Sequence, residues 1–197
     1  MRRTFILAAS AVAFGASGAL AQDATPITGP AAELALSNDT LQLQYLTSGA
    51  KVGVPRSQLS AGFFLSEERD IVLSGGLLFP ADIDLGRLTV LFGPRAYAAL
   101  LDEENNDVMA LTVGTEIHFD LDRRRGLAIV GHAFYSPDIL TFGSADNLTD
   151  LSARAELRLA PQLTGFAGMR WFEFDLTDGD EQRTLQEELF AGVGWRF

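Results

Sequence analysis

Cysteine is absent from the 197 residues, so no disulfide can staple the fold, a condition compatible with export that does not demonstrate it. Histidine is nearly absent too. His118 and His132 are the only two, and without cysteine they are too few for a conventional closed zinc site, so no metal or other cofactor is expected. Beyond residue 21 there is no long hydrophobic run. The longest, "IVLSGGLLF" and "YAALL", fall far short of the ~20 apolar residues that a transmembrane helix needs. Basic charge is scarce: 15 Lys and Arg stand against 26 Asp and Glu, and a formal net charge of −11 argues against nucleic acid as a partner. The acids gather in "DEENND" (102–107) and "DGDE" (178–181), turn-like runs that read as solvated loops.

What is present begins with a leader. Arg2 and Arg3 precede the short apolar stretch "TFILAASAVAFGASGAL", and Ala19-Leu20-Ala21 ends it as a small-x-small site. A basic start, an apolar centre and an A-x-A end describe a secretory signal peptide over residues 1–21. The stretch is too short and too rich in Ala, Gly and Ser to be read as a membrane anchor. The mature chain, 22–197, is expected to begin at Gln22 and to form one domain. Cleavage removes two arginines and no acid, taking the formal charge from −11 to −13.

From there the pattern has a period of two, which is the signature of strands. Leu41, Leu43 and Tyr45 alternate with Gln42 and Gln44. Met109, Leu111, Val113, Thr115, Ile117 and Phe119 alternate with Ala110, Thr112, Gly114, Glu116, His118 and Asp120. Leu151, Ala153, Ala155, Leu157 and Leu159 alternate with Asp150, Ser152, Arg154, Glu156 and Arg158. In the final stretch the apolar face reads Leu185, Glu187, Leu189, Ala191, Val193, Trp195 and Phe197. Helical spacing fits none of these segments as well.

Two all-β architectures share that pattern. A soluble sandwich or small barrel turns its apolar face inward; a transmembrane barrel turns it to lipid and keeps polar groups inside. Three features favour the second. Aromatics such as Trp195 and Phe197 stand at strand ends, like an interfacial girdle. The opposite faces carry Gly, Ser and charge, which suits a narrow lumen. The candidate strands run to about 9–11 residues or more, the length a tilted strand needs to cross a bilayer. The expected fold is therefore an antiparallel transmembrane β-barrel. The segment "ELALS-ND-TLQLQYL" reads as a hairpin through Asn38 and Asp39, which makes ten strands favoured over eight. Its first arm, Glu33–Ser37, is too short to cross alone. Parity places the loops near 67–70, 102–107, 137–147 and 175–183 at one end, and those near 47–56, 80–86, 121–126 and 160–162 at the other. The first set is long and acidic and is expected outside; the second, with the C-terminus, is expected in the periplasm.

The leader, "ALSNDTLQLQY", "GTEIHFDLD", "FYSPDILTFGSADNLTD" and the closing "AGVGWRF" together resemble the YfaZ family of outer-membrane proteins, over nearly all of the mature chain. That resemblance implies an outer-membrane β-barrel of Gram-negative bacteria, and it carries no activity with it. The terminal Phe197, behind alternating aromatics, is similar to the end that the outer-membrane insertion machinery recognises. The partners expected are outer-membrane lipid and lipopolysaccharide, with the barrel as a monomer.

Two constellations inside the expected barrel bear on chemistry. Glu116, His118 and His132 point inward on adjacent strands, and Glu116 is expected opposite His132. With Ser136 on the same face, a Ser/His/Glu hydrolase acting on lipid or peptide through His132 is the alternative function. No nucleophile motif surrounds Ser136, however, and groups satisfying one another in the lumen is the simpler reading. The second constellation is Arg95, Arg154, Arg158, Arg170, Glu156 and Glu188, expected as a paired network that fills the lumen. Its excess of arginine predicts an anion preference in any pore that conducts. The reading is thus a non-enzymatic barrel, structural or narrowly porin-like.

Overall fold

In the computed structural model, which describes residues 30–81, 86–101, 107–176 and 182–197, the period-two segments become strands joined in a single ring. They are β1 (Ala31–Leu36), β2 (Thr40–Ser48), β3 (Gln58–Ser66), β4 (Ile71–Pro80), β5 (Leu88–Leu100), β6 (Val108–Asp122), β7 (Leu127–Ser136), β8 (Thr141–Gly143), β9 (Ala145–Ala160), β10 (Leu163–Leu176) and β11 (Gln182–Arg196). Neighbours pair antiparallel in chain order, β5 pairs β6, and β1 pairs β11, which closes the wall. β8 is a three-residue lip that leads into β9 and pairs with the start of β6, so the wall has ten staves. Two 3-10 turns, Gly49–Val52 and Asp138–Leu140, are the only helical segments among the described residues. The expected leader lies outside those residues.

The short first arm counts as a stave because its backbone is paired on both sides. All six residues of β1 have partners on β2 and on β11. Closure also fixes the tilt. Following the register from Leu34 through β2, β3, β4 and β5 arrives on β6 at Met109. Following it the other way, through β11, β10, β9 and β7, arrives at Asp122, thirteen residues on, one of them a bulge. With ~3.3 Å per residue and ~4.8 Å between strands, that stagger over ten strands tilts the staves by about 40°.

The outward face is apolar. Leu43, Leu73, Phe92, Met109, Val113, Ile117, Leu151, Leu157, Met169, Trp171, Leu189 and Trp195 are all exposed. A continuous skin of this kind around a closed wall is a lipid-facing band, far beyond the patch a soluble monomer shows. Its height agrees. Trp171 and Leu163, which lies opposite Trp195, are eight steps apart on β10. That is ~27 Å along the strand and about 20 Å along the barrel axis, close to the ~25 Å of such bands.

One expectation fails locally. Leu185 does not share the outward face of β11; it is 6% exposed and packs inside. The register shifts opposite Phe172 and Glu173, so β11 has one extra residue there, and a bulge flips parity for everything before it. The connection expected as a long loop over 137–147 is likewise built: a 3-10 turn, then β8, with β9 starting already at Ala145.

Glycines on the inner face make room for large neighbours. A Cβ at Gly114 would stand 2.4 Å from the Phe134 ring, and one at Gly168 would stand 2.6 Å from the Arg154 Cβ.

Candidate functional site in the barrel interior

The interior has two floors. Toward the end that carries the 67–70 and 137–147 connections it is dry and aromatic. Phe64, Val72, Tyr97, Leu148, Phe172, Phe174 and Leu185 form one buried cluster. Phe172 is fully buried at its centre, with ring centroids 5.6 Å from Phe64, Tyr97 and Phe174, the first of them edge-on. Those are favourable aromatic geometries, and they leave a plug of side chains across the bore.

Below the aromatics lies charge, and Asp150 organises it. Its side chain is fully buried. Arg170 donates to it twice, Nε to Oδ1 at 2.8 Å and Nη2 to Oδ2 at 2.9 Å. The Tyr97 hydroxyl donates at 2.6 Å, His132 Nε2 lies 3.1 Å from Oδ1, and Arg95 Nη1 stands 3.8 Å away. Arg170 also donates to Gln42 Oε1 at 2.9 Å. A buried carboxylate survives only when so surrounded. The cations are arginines, whose planar fork suits two-pronged pairing; the one lysine, Lys51, is exposed in a turn. The guanidinium planes lie on aromatic faces as well, Arg95 4.0 Å over Phe134 and Arg170 4.4 Å over Phe172.

Two further pairs complete the lower floor. Arg154 donates to Glu33 at 2.6 and 3.1 Å and reaches Glu156 at 2.7 Å. His118 Nε2 lies 2.7 Å from Glu116 Oε1, and Arg95 Nη2 is 4.0 Å from the other oxygen of Glu116. These side chains are partly open, His118 by 26% and Glu156 by 19%, whereas the aromatic floor above is sealed.

Arg95, Glu116, His118, His132, Arg154, Glu156 and Arg170 therefore all point into the bore. Arg158 and Glu188 stand elsewhere. Arg158 is exposed at the lower end, packed on Gly126 of the β6–β7 turn. Glu188 closes the β1–β2 turn: it accepts from the Ser37 hydroxyl and from the backbone N–H of Asn38 at 3.2 Å and Asp39 at 3.3 Å. Trp195 projects outward from the foot of β11, and Phe197 donates its N–H to the Pro30 carbonyl at 3.0 Å.

Sequence reasoning missed Asp150, Glu33 and Tyr97. Asp150 was visible on the polar face of β9 and Glu33 on the short β1, but their alternation carried no sign of what they would meet across the bore. Adding them alters the charge balance. Arg95, Arg154 and Arg170 face Glu33, Glu116, Asp150 and Glu156, so the expected excess of arginine, and with it the anion preference, has no basis in the interior.

The expected histidine partnerships are also rearranged. Glu116 and His132 are opposite in register. Glu116 nevertheless pairs with His118, and His132 bridges Asp150 and the Ser152 hydroxyl, 3.1 Å from Nδ1. Ser136 is occupied at the wall, donating to the Leu111 carbonyl at 3.2 Å and lying 2.8 Å from Thr141 Oγ1. Ser152, His132 and Asp150 form a hydroxyl–imidazole–carboxylate chain. Its carboxylate is already neutralised by Arg170 and Arg95, which leaves little attraction for an imidazolium between them. Among the described residues no group of His, Asp and Glu is placed to hold a metal ion.

A family model described as YfaZ precursor matches residues 10–197. No curated protein and no solved structure matches the chain. A precursor family and a closed ten-stranded barrel with an apolar skin fit an outer-membrane β-barrel protein.

Proposed function

The chain belongs to the YfaZ family, and we propose that it is a non-enzymatic barrel of the bacterial outer membrane whose bore is closed by its own side chains. The observation that carries this reading is the stack of Phe172 on the Asp150–Arg170 pair, an aromatic floor directly above an ion-paired one. A ten-stranded barrel has an interior little wider than its side chains need, and here both floors are occupied by interlocked groups. Such a protein serves as a structural element of the outer-membrane wall rather than as a wide pore. Its lipid band meets outer-membrane lipid and lipopolysaccharide, the β11 strand with Trp195 and Phe197 addresses the insertion machinery, and the working form is a monomer. The 67–70 and 137–147 connections face outward and the C-terminus faces the periplasm.

Planar-bilayer recording under an asymmetric salt gradient tests this. The expected result is no steady conductance. A large, persistent open channel would overturn the closed bore, whatever its ion preference.

A further inference from the structure

β11 is fifteen residues long, but β1 covers only its lower part. The pairing runs from Ala31 opposite Arg196 to Leu36 opposite Ala191 and stops there, where the chain turns at Asn38. Above that point β11 is paired on its β10 side alone. Its other edge, over Thr184–Glu188, faces the turns at Asp39 and Glu67 across a cleft of about 190 Å³. Such an edge offers alternate N–H and C=O groups to any extended chain that arrives.

The cleft has a sign and an unmet need. Asp39, Glu67, Glu187 and Glu188 line it. Gln186, only 4% exposed, also lines it and holds its side-chain Oε1 without a hydrogen-bond partner, as does Asp39 with its buried Oδ1. Buried acceptors without donors are rare and costly, so an occupant carrying N–H groups is favoured here. Height permits access. Glu187 lies opposite Trp171, the top of the lipid band, and is exposed on the outer face of β11, so from Glu187 up to Thr184 the edge stands at and above the rim of the band, where an unpaired edge can exist.

We propose that this edge is a docking site for an extended cationic peptide, which adds as a further strand beside Thr184–Glu188 and presents its basic side chains to Glu67 and Glu187. Backbone pairing supplies the affinity and the acidic rim selects the charge, the division of labour usual in strand addition. The proposal goes beyond the closed-bore reading and is independent of it.

The test uses the full barrel in zwitterionic nanodiscs, with empty nanodiscs as the blank. The probe is a seven-residue peptide alternating arginine and valine. Two companions accompany it, one N-methylated at every second backbone nitrogen and one with glutamate in place of arginine. The arginine peptide is expected to bind, the N-methylated peptide at least tenfold more weakly, and the glutamate peptide not at all. A carbonyl-labelled arginine peptide should gain a β-sheet amide band on binding. Gln186→Leu should weaken binding several-fold while leaving the barrel's own infrared spectrum unchanged. Equal binding of the N-methylated peptide would reduce the effect to surface charge and overturn the proposal, as would no binding by any of the three.

Discussion

Arg170 and Glu188 sit directly opposite each other across β10 and β11, yet they do not pair. Arg170 turns the other way, to Asp150, and Glu188 turns up to the Asn38 turn. In a flat sheet, direct neighbours of opposite charge are the natural couple. In a narrow barrel a long side chain also reaches diagonally along the neighbouring strand, here from β10 to Asp150 on β9, and burial favours the acceptor that can take both prongs of the guanidinium.

The Asp150–Arg170 pair should therefore behave as one unit. Asp150→Ala leaves two buried arginines beside an empty place and is expected to cost about 3–5 kcal/mol, as breaking a buried pair does. Arg170→Ala should cost a comparable amount, and the double substitution should cost clearly less than the two together. Urea unfolding of the barrel in lipid vesicles, followed by tryptophan fluorescence, gives all three values. Simple additivity would show that the two side chains act independently.

This relationship also explains how much could be read beforehand. The wall was legible, because alternation on β6 and β9 reports two different environments and needs no knowledge of partners. Even the short β1 announced itself through Asn38 and Asp39 as a hairpin turn. The bulge that buries Leu185 was not legible, since one extra residue in β11 leaves no mark on composition. The interior partners were the least visible. Whether Glu116 takes His118 or His132, and whether Arg170 takes Glu188 or Asp150, depends on which other groups share the bore, and these, such as Arg95 and Tyr97 beside Asp150, come from strands far off in sequence.

Phe172→Ala separates the two floors. Removing a fully buried Phe is expected to cost about 3–5 kcal/mol. It should not open the bore, because Arg95, Asp150 and Arg170 still cross it beneath. Bilayer recordings of the variant should stay as silent as those of the parent; a new conductance would show that the aromatic floor alone closes the channel.

Ser152 is expected to be chemically inert. Its hydroxyl meets His132, but the two arginines beside Asp150 offset that carboxylate's charge and oppose the imidazolium that a serine nucleophile requires. A fluorophosphonate probe should leave the folded protein unlabelled, and Ser152→Ala should change nothing in that assay. Stoichiometric labelling lost in Ser152→Ala would establish a hydrolytic site instead.

Leu157 and Glu156 are adjacent on β9 and test which solvent lies on which side. Leu157 is 43% exposed on the outer skin, while Glu156 points into the bore and holds Arg154 at 2.7 Å. Leu157 lies opposite Gly165, two steps from Leu163 at the foot of the band, so Leu157→Arg places a charge at the edge of the hydrocarbon and is expected to cost about 1 kcal/mol in vesicles. Glu156→Gln should cost less, because Arg154 keeps both contacts to Glu33 and is not stranded. Ala167→Arg offers the depth contrast: exposed on β10 halfway between Leu163 and Trp171, it should cost about 2–4 kcal/mol. The order Ala167→Arg worst, then Leu157→Arg, then Glu156→Gln, is what a lipid-facing skin demands. If Leu157→Arg were silent and Glu156→Gln severe, the outer face would be in water and the membrane assignment would fail.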